Sequence, residues 1–155
     1  MTSDTHHAAE QAGGSQRVLV EEGEWQGWYY STGDAFNAHV GPFYYRDDEN
    51  GARVCAMRAE ARHLNGGGMM HGGALMTFAD YCLYAFASIL GDPHMVTASF
   101  NSEFVGAVPP GAIVECRGEV IRSTRSMVFL RGLMTVEGET VLSFSGILKK
   151  VRPKS

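Results

Sequence analysis

Cations are scarce in this 155-residue chain: 13 lysines and arginines stand against 17 aspartates and glutamates, for a formal net charge of -4. Binding to a phosphate backbone rests on clustered Lys and Arg, so this balance argues against nucleic acid as a partner. Cysteine is thinner still, and Cys55, Cys82 and Cys116 share no Cys-x-x-Cys spacing that would hold zinc or run redox chemistry. They read as small core residues in a reducing compartment. Residues 1–16 lack an apolar stretch behind a basic start, which excludes a secretory signal there and leads us to expect a cytoplasmic protein with a loose tail over 1–16. His6 and His7 in that tail have no further ligand nearby and read as solvated imidazoles. No metal site is expected, since His63, His71 and His94 also lack a ligand spacing. A Gly-x-Ser-x-Gly elbow is absent too, which disfavours a serine hydrolase.

What is present is ordinary globular composition, 45% hydrophobic and 19% charged, in a length that buries one core. A single domain over 17–155 is expected. Trp25, Trp28, Tyr29 and Tyr30 concentrate aromatic area near the start, either capping one end of the core or stacking on a ligand. Residues 43–46 and 53–62 favour extended chain around the turn residues DDENG, a hairpin whose second arm alternates Cys55, Met57, Ala59 and Ala61 with Arg58, Glu60 and Arg62. The run ALMTFADYCLYAFASIL is too long for a strand and is stopped by Gly91-Asp92-Pro93, so it is the one long helix. It is apolar nearly all round and must be enclosed on most sides. It is also at the short end for a bilayer, carries Asp80 and runs straight into strands, so a membrane span is not expected. Four extended runs follow, 95–105, 113–122, 127–136 and 140–151, separated by turn-rich segments. Long antiparallel strands with one apolar helix predict an α+β fold in which a curled sheet wraps a central helix.

Chemistry concentrates where Asn65-Gly66-Gly67-Gly68-Met69-Met70-His71-Gly72-Gly73 enters that helix. Glycines let backbone approach a ligand, and unpaired N–H groups at a helix start suit an oxyanion. Composition alone also allows a plain flexible loop, and the segment matches no nucleotide-binding motif. Asp80 adds to the signal, because a carboxylate in an apolar helix must be paired, hydrated or used, and no Lys or Arg occurs between Leu64 and Phe104. Its partner is either a distant arginine such as Arg122 or Arg131, or a substrate on which it acts as base or nucleophile. Gly73 and Asp80 lie seven residues apart, about 10 Å along the axis, too far to serve one carbonyl from one chain. A two-fold dimer would bring one helix start to the other chain's Asp80.

The pattern Asn65, a Gly-rich stretch, His71-Gly72-Gly73 and Ala79-Asp80 resembles the hotdog-fold acyl-CoA thioesterases, in particular the phenylacetic-acid-degradation subfamily. The resemblance covers about 43–151, with Thr97-Ala98-Ser99-Phe100-Asn101 and Gly111 matching the strand after the helix. It implies a hotdog fold and hydrolysis of an acyl-coenzyme A thioester, with coenzyme A entering as part of the substrate and no separate cofactor. It further implies that the Gly72 N–H polarises the carbonyl with Asn65 assisting, and that His71 holds the loop or touches the thioester. Asp80 of the facing subunit would activate water or attack directly, oriented by Thr97. Gly73, Met70 and Tyr81 would contact substrate, and Arg122 and Arg125, with Lys149, Lys150 and Arg152, would meet the coenzyme phosphates. Tyr81 and Cys82 depart from the small residues that commonly follow the aspartate, so the acyl group stays open. Met69, Met70, Met76 and Phe78 are either pocket or core. A homodimer or dimer of dimers is implied. The rival readings are a hotdog hydratase or dehydratase and a non-catalytic acyl-CoA sensor.

Overall fold

Asp48 shows how local chemistry sets the strands: its carboxylate accepts from the N–H groups of Asn50 and Ala52, closing the DDENG turn over Gly51 at φ 78°. The computed structural model describes residues 15–92 and 94–152. The strands flanking this turn are β3 (Tyr44–Asp47) and β4 (Arg53–Arg58), preceded by β1 (Gln16–Leu19), β2 (Tyr29–Thr32) and the short helix α1 (Ala35–Val40). After them come α2 (Gly72–Ala87), β5 (Met95–Phe104), β6 (Ile113–Ser123), β7 (Met127–Val136) and β8 (Glu139–Lys150). The strands form one antiparallel sheet in the order β1-β2-β3-β4-β6-β7-β8-β5, which leaves β5 on an edge. Glu137 and Gly138 both take positive φ between β7 and β8, the conformation a tight hairpin demands.

Helix α2 lies across the sheet, and Leu75, Phe78, Ala79, Cys82, Leu83 and Phe86 on it are buried. Two glycines clear the floor beneath it, and a third makes room for a ring of the neighbouring strand. A Cβ on Gly118 would sit 2.4 Å from the Phe86 ring, one on Gly146 would sit 2.3 Å from Leu83, and one on Gly132 would meet Phe144 at 2.6 Å. By length and composition the run Gly72–Leu90 would pass for a membrane span; here it is the core helix that the sheet wraps. This is the hotdog arrangement expected from the sequence.

Local differences have local causes. Gln16, assigned to the tail, opens β1 by pairing with Thr32, while residues 1–14, including His6 and His7, lie outside the described residues. The strand expected to reach residue 62 ends at Arg58. Glu60 and His63 there form a reciprocal capping box that turns the chain into a 3-10 helix, Ala61–His63. α2 begins at Gly72 rather than Ala74, because His71 caps it. The early aromatics do not cap an end of the main core: Trp28, with Trp25 and Tyr44, packs on Val54 and Ala56, the opposite side of β4 from Cys55 and Met57. β4 is therefore buried on both faces, although its sequence alternation suggested one.

Candidate active site on the uncovered stripe of the central helix

The glycine loop is held by its own side chains. Asn65 Oδ1 accepts from the N–H groups of Gly67 and Met69, at 2.9 and 3.2 Å, while Gly68 at φ 78° completes the turn. At the helix start, His71 is the N-cap: its Nδ1 accepts from Gly73 N–H at 2.8 Å, and its carbonyl accepts from Ala74 and Leu75. Among the described residues the Gly72 N–H has no acceptor. It is the donor at this helix terminus left open to a ligand, reinforced by the positive end of the helix dipole.

His63 fixes this terminus from behind, and the sequence reading missed it. Its buried ring accepts from Glu60 N–H and donates from Nε2 to the Val40 carbonyl at 2.6 Å. Its own carbonyl accepts from His71 N–H at 2.7 Å. One residue so ties the end of α1, the 3-10 helix and the cap of α2. The Glu60-x-x-His63 spacing was the available clue, since it is a capping-box interval.

Asp80 sits on the stripe of α2 that the sheet leaves uncovered, with Gly73, Met76 and Tyr84. The apolar enclosure expected around it is incomplete in the single chain. Thr97 donates its hydroxyl to Asp80 Oδ1 at 2.6 Å, from a position on β5 opposite the buried Leu148. No ion pair joins Asp80 to any cation among the described residues, and Arg131 is taken by Glu119 at 2.6 Å. Gly72 lies against Phe104 at the far end of β5, since a Cβ there would be 3.1 Å from that ring. Thr97 and Asp80 thus meet near one end of β5 and Gly72 lies at the other, eight residues and about 12 Å from Asp80 along α2.

The remaining expected residues divide. Met70 and Phe78 are core, whereas Met69 and Met76 are exposed and line neither cavity described below. Arg122, Arg125 and Lys149 are exposed around the β6–β7 turn, and Lys150 donates to Ser123 and Thr124 there. Because Met95 and Val96 pair with Lys150 and Lys149, these cations gather at the Asp80 end of β5, about 30 Å along the strand from Phe104. The buried thiols of Cys82 and Cys116 are pushed up in pKa by desolvation and read as inert core. A cavity of about 660 Å³ opens beside Asp80 and Thr97 and is closed by residues from α1, β3 and β4, among them Phe36, Tyr45 and Arg53. None of those three was singled out from the sequence. A smaller cavity, about 250 Å³, lies behind α1.

Comparison with known proteins places the chain and its fold among thioesterases. Residues 67–143 match the thioesterase superfamily model. "Putative esterase PA0474" of Pseudomonas aeruginosa is 34% identical over 110 residues, 70% of this chain and 82% of that protein. A mutant of the phenylacetic acid degradation protein PaaI from Thermus thermophilus superposes with a TM-score of 0.66 at 29% identity, covering 76% of this chain and all of that one. A hypothetical thioesterase from Streptococcus pneumoniae, solved with coenzyme A, shares the fold at 20% identity and a TM-score of 0.64, over 73% of this chain and 88% of that one. A curled antiparallel sheet around one helix, carrying this sequence, defines a hotdog thioester hydrolase. The chain belongs to the thioesterase superfamily.

Proposed function

We propose that the protein hydrolyses an acyl-coenzyme A thioester to the free acid and coenzyme A, at a site shared across a two-fold dimer. The observation that carries this is a free Gly72 N–H at the start of α2 together with a threonine-held Asp80 on the uncovered stripe, too far apart to act together within a chain. The free edge of β5 offers the solution. A two-fold axis near Phe100 and Asn101 would set Thr97 opposite the partner's Phe104, and hence Asp80 opposite the partner's Gly72. Exposed Met76, Tyr84, Val96, Phe104 and Val105 supply apolar area for that contact.

In the composite site the Gly72 N–H hydrogen-bonds the thioester carbonyl and stabilises the charge that grows on its oxygen. Asp80, oriented by Thr97, takes a proton from water as it adds to the carbonyl carbon. The C–S bond then breaks, and the departing thiolate takes up the proton. Direct attack by Asp80 through an anhydride is the other route the residues allow. Asn65 and His71 serve by holding the loop, and Gly73 by its bond to the cap. The cations around the β6–β7 turn offer partners for the coenzyme phosphates, and the coenzyme A on the Streptococcus pneumoniae protein supports that assignment of substrate class. Buried free thiols suit a cytoplasmic setting.

A panel of acyl-coenzyme A esters with a thiol-release readout tests this. The expected result is release from some member, with Asp80→Asn lowering kcat by about 10²–10⁴. Undiminished turnover in Asp80→Asn would sink the mechanism. Enoyl hydration without thiol release would instead favour a hydratase, and binding without turnover a sensor.

A further inference from the structure

The cavity beside Asp80 runs along α2 past Tyr84 to Ser88, about 12 Å from Asp80 at 1.5 Å per residue. Phe36 and Tyr84 supply apolar wall beside the polar Asn37, Thr77 and Thr97. The far end of the cavity is polar. Arg53, with its side chain 13% exposed, is clamped there by Asp47 at 2.6 Å and by donation from Nη1 to the Ala85 carbonyl and Ser88 Oγ, both at 3.3 Å. Among the described residues its Nη2 has no acceptor, and neither the Tyr45 nor the Tyr81 hydroxyl has a hydrogen-bond partner. Tyr45 lies with its ring 4.8 Å from the Arg53 guanidinium, and the Tyr81 hydroxyl is near enough to feel both. Burial raises the Tyr81 pKa, so that group stays a neutral donor. Three donors without partners thus line one end of a pocket whose other walls mix aromatic and polar side chains.

We infer that this cavity is the acyl pocket and that it selects medium-length acyl groups bearing a neutral oxygen, a hydroxyl or keto group, at the far end. The inference rests on the thioesterase reading above. An acyl group ending in one ring next to the thioester would fall short of Arg53. A carboxylate tail is disfavoured because Asp47 already balances Arg53, while Asp34 and Asp80 line the same cavity. A donor cluster of this kind favours a ligand that satisfies it over one that leaves it unpaired.

The test compares decanoyl-, ω-hydroxydecanoyl- and ω-carboxydecanoyl-coenzyme A as substrates of the intact protein. The ω-hydroxy ester should show kcat/KM about tenfold above the plain ester, the worth of roughly one well-made hydrogen bond. Tyr45→Phe and Tyr81→Phe, which remove only hydroxyls, should together bring that ratio toward one. Calorimetric binding of the matching non-hydrolysable thioethers reads the pocket without turnover. Equal affinities for the plain and ω-hydroxy thioethers, or the strongest preference for the ω-carboxy compound, would overturn the pocket assignment and leave thioester hydrolysis standing. Discrimination among thioethers with no thiol released from any ester would do the reverse.

Discussion

Gly72 carries only hydrogen on its Cα, and a methyl group there would press on the Phe104 ring at 3.1 Å. Two effects of substitution are therefore separable. Alanine keeps the N–H but crowds Phe104, whereas proline removes the N–H at the first helical position, where helices tolerate it and where His71 is already extended at ψ 136°. In a Phe104→Leu background that relieves the crowding, Gly72→Ala should retain most of the kcat. Gly72→Pro in the same background should lose about 10²–10³, the cost of one oxyanion donor. Steady-state thiol release checks both, and equal losses would mean that the amide is not the electrophile. Thr97 and Asp80 act at the same scale, joined by a bond across 17 residues of chain.

Between elements, the seating of α2 on the sheet depends on glycines that face it. The Gly146 site collides with a side chain, Leu83, while a Cβ on Gly118 also comes within 2.6 Å of the Arg131 carbonyl. Gly118→Ala and Gly146→Ala should each cost about 1–3 kcal/mol, seen as a lower urea midpoint at unchanged slope. Leu83→Ala should offset part of the Gly146→Ala loss, since the two changes compete for one space. It should offset none of the Gly118→Ala loss, because the Cβ there meets Phe86 and the Arg131 carbonyl rather than Leu83. Additive losses in the Gly146 pair would contradict the packing. The loop between β1 and β2, through Trp25 and Trp28, gives β4 its second buried face and so makes the amino-terminal segment part of the fold around the cavity.

At the scale of the whole molecule, an exposed edge strand and an uncovered helix stripe lie side by side. Such an edge invites pairing with a second copy. Mixing inactive Asp80→Ala and Gly72→Pro chains should restore thiol release to about a quarter of the wild-type level. Random exchange makes half the dimers mixed, and each mixed dimer holds one intact site of two. No recovery on mixing, with exchange verified by differently tagged chains, would mean that each site is built within one chain.

Sequence alone determined what depends on neighbours along the chain. Alternation in residues 95–151, turn residues at DDENG and Glu137-Gly138, and the length of the apolar run at 74–90 disclosed the strands, hairpins and central helix, because these follow from local period and backbone freedom. The run from Asn65 to Asp80 marked the site for the same reason, since its spacing is set by one loop and one helix. Tertiary structure decided which stripe of α2 stays open, and that the Asp80 carboxylate meets Thr97 rather than Arg131. It also decided that Trp28 covers β4, that His63 ties three segments together, and that Arg53, Tyr45 and Phe36 close a cavity beside Asp80. These depend on sheet order and register, in which residues far apart in sequence become neighbours through the summed burial of many side chains, and no local pattern encodes that sum.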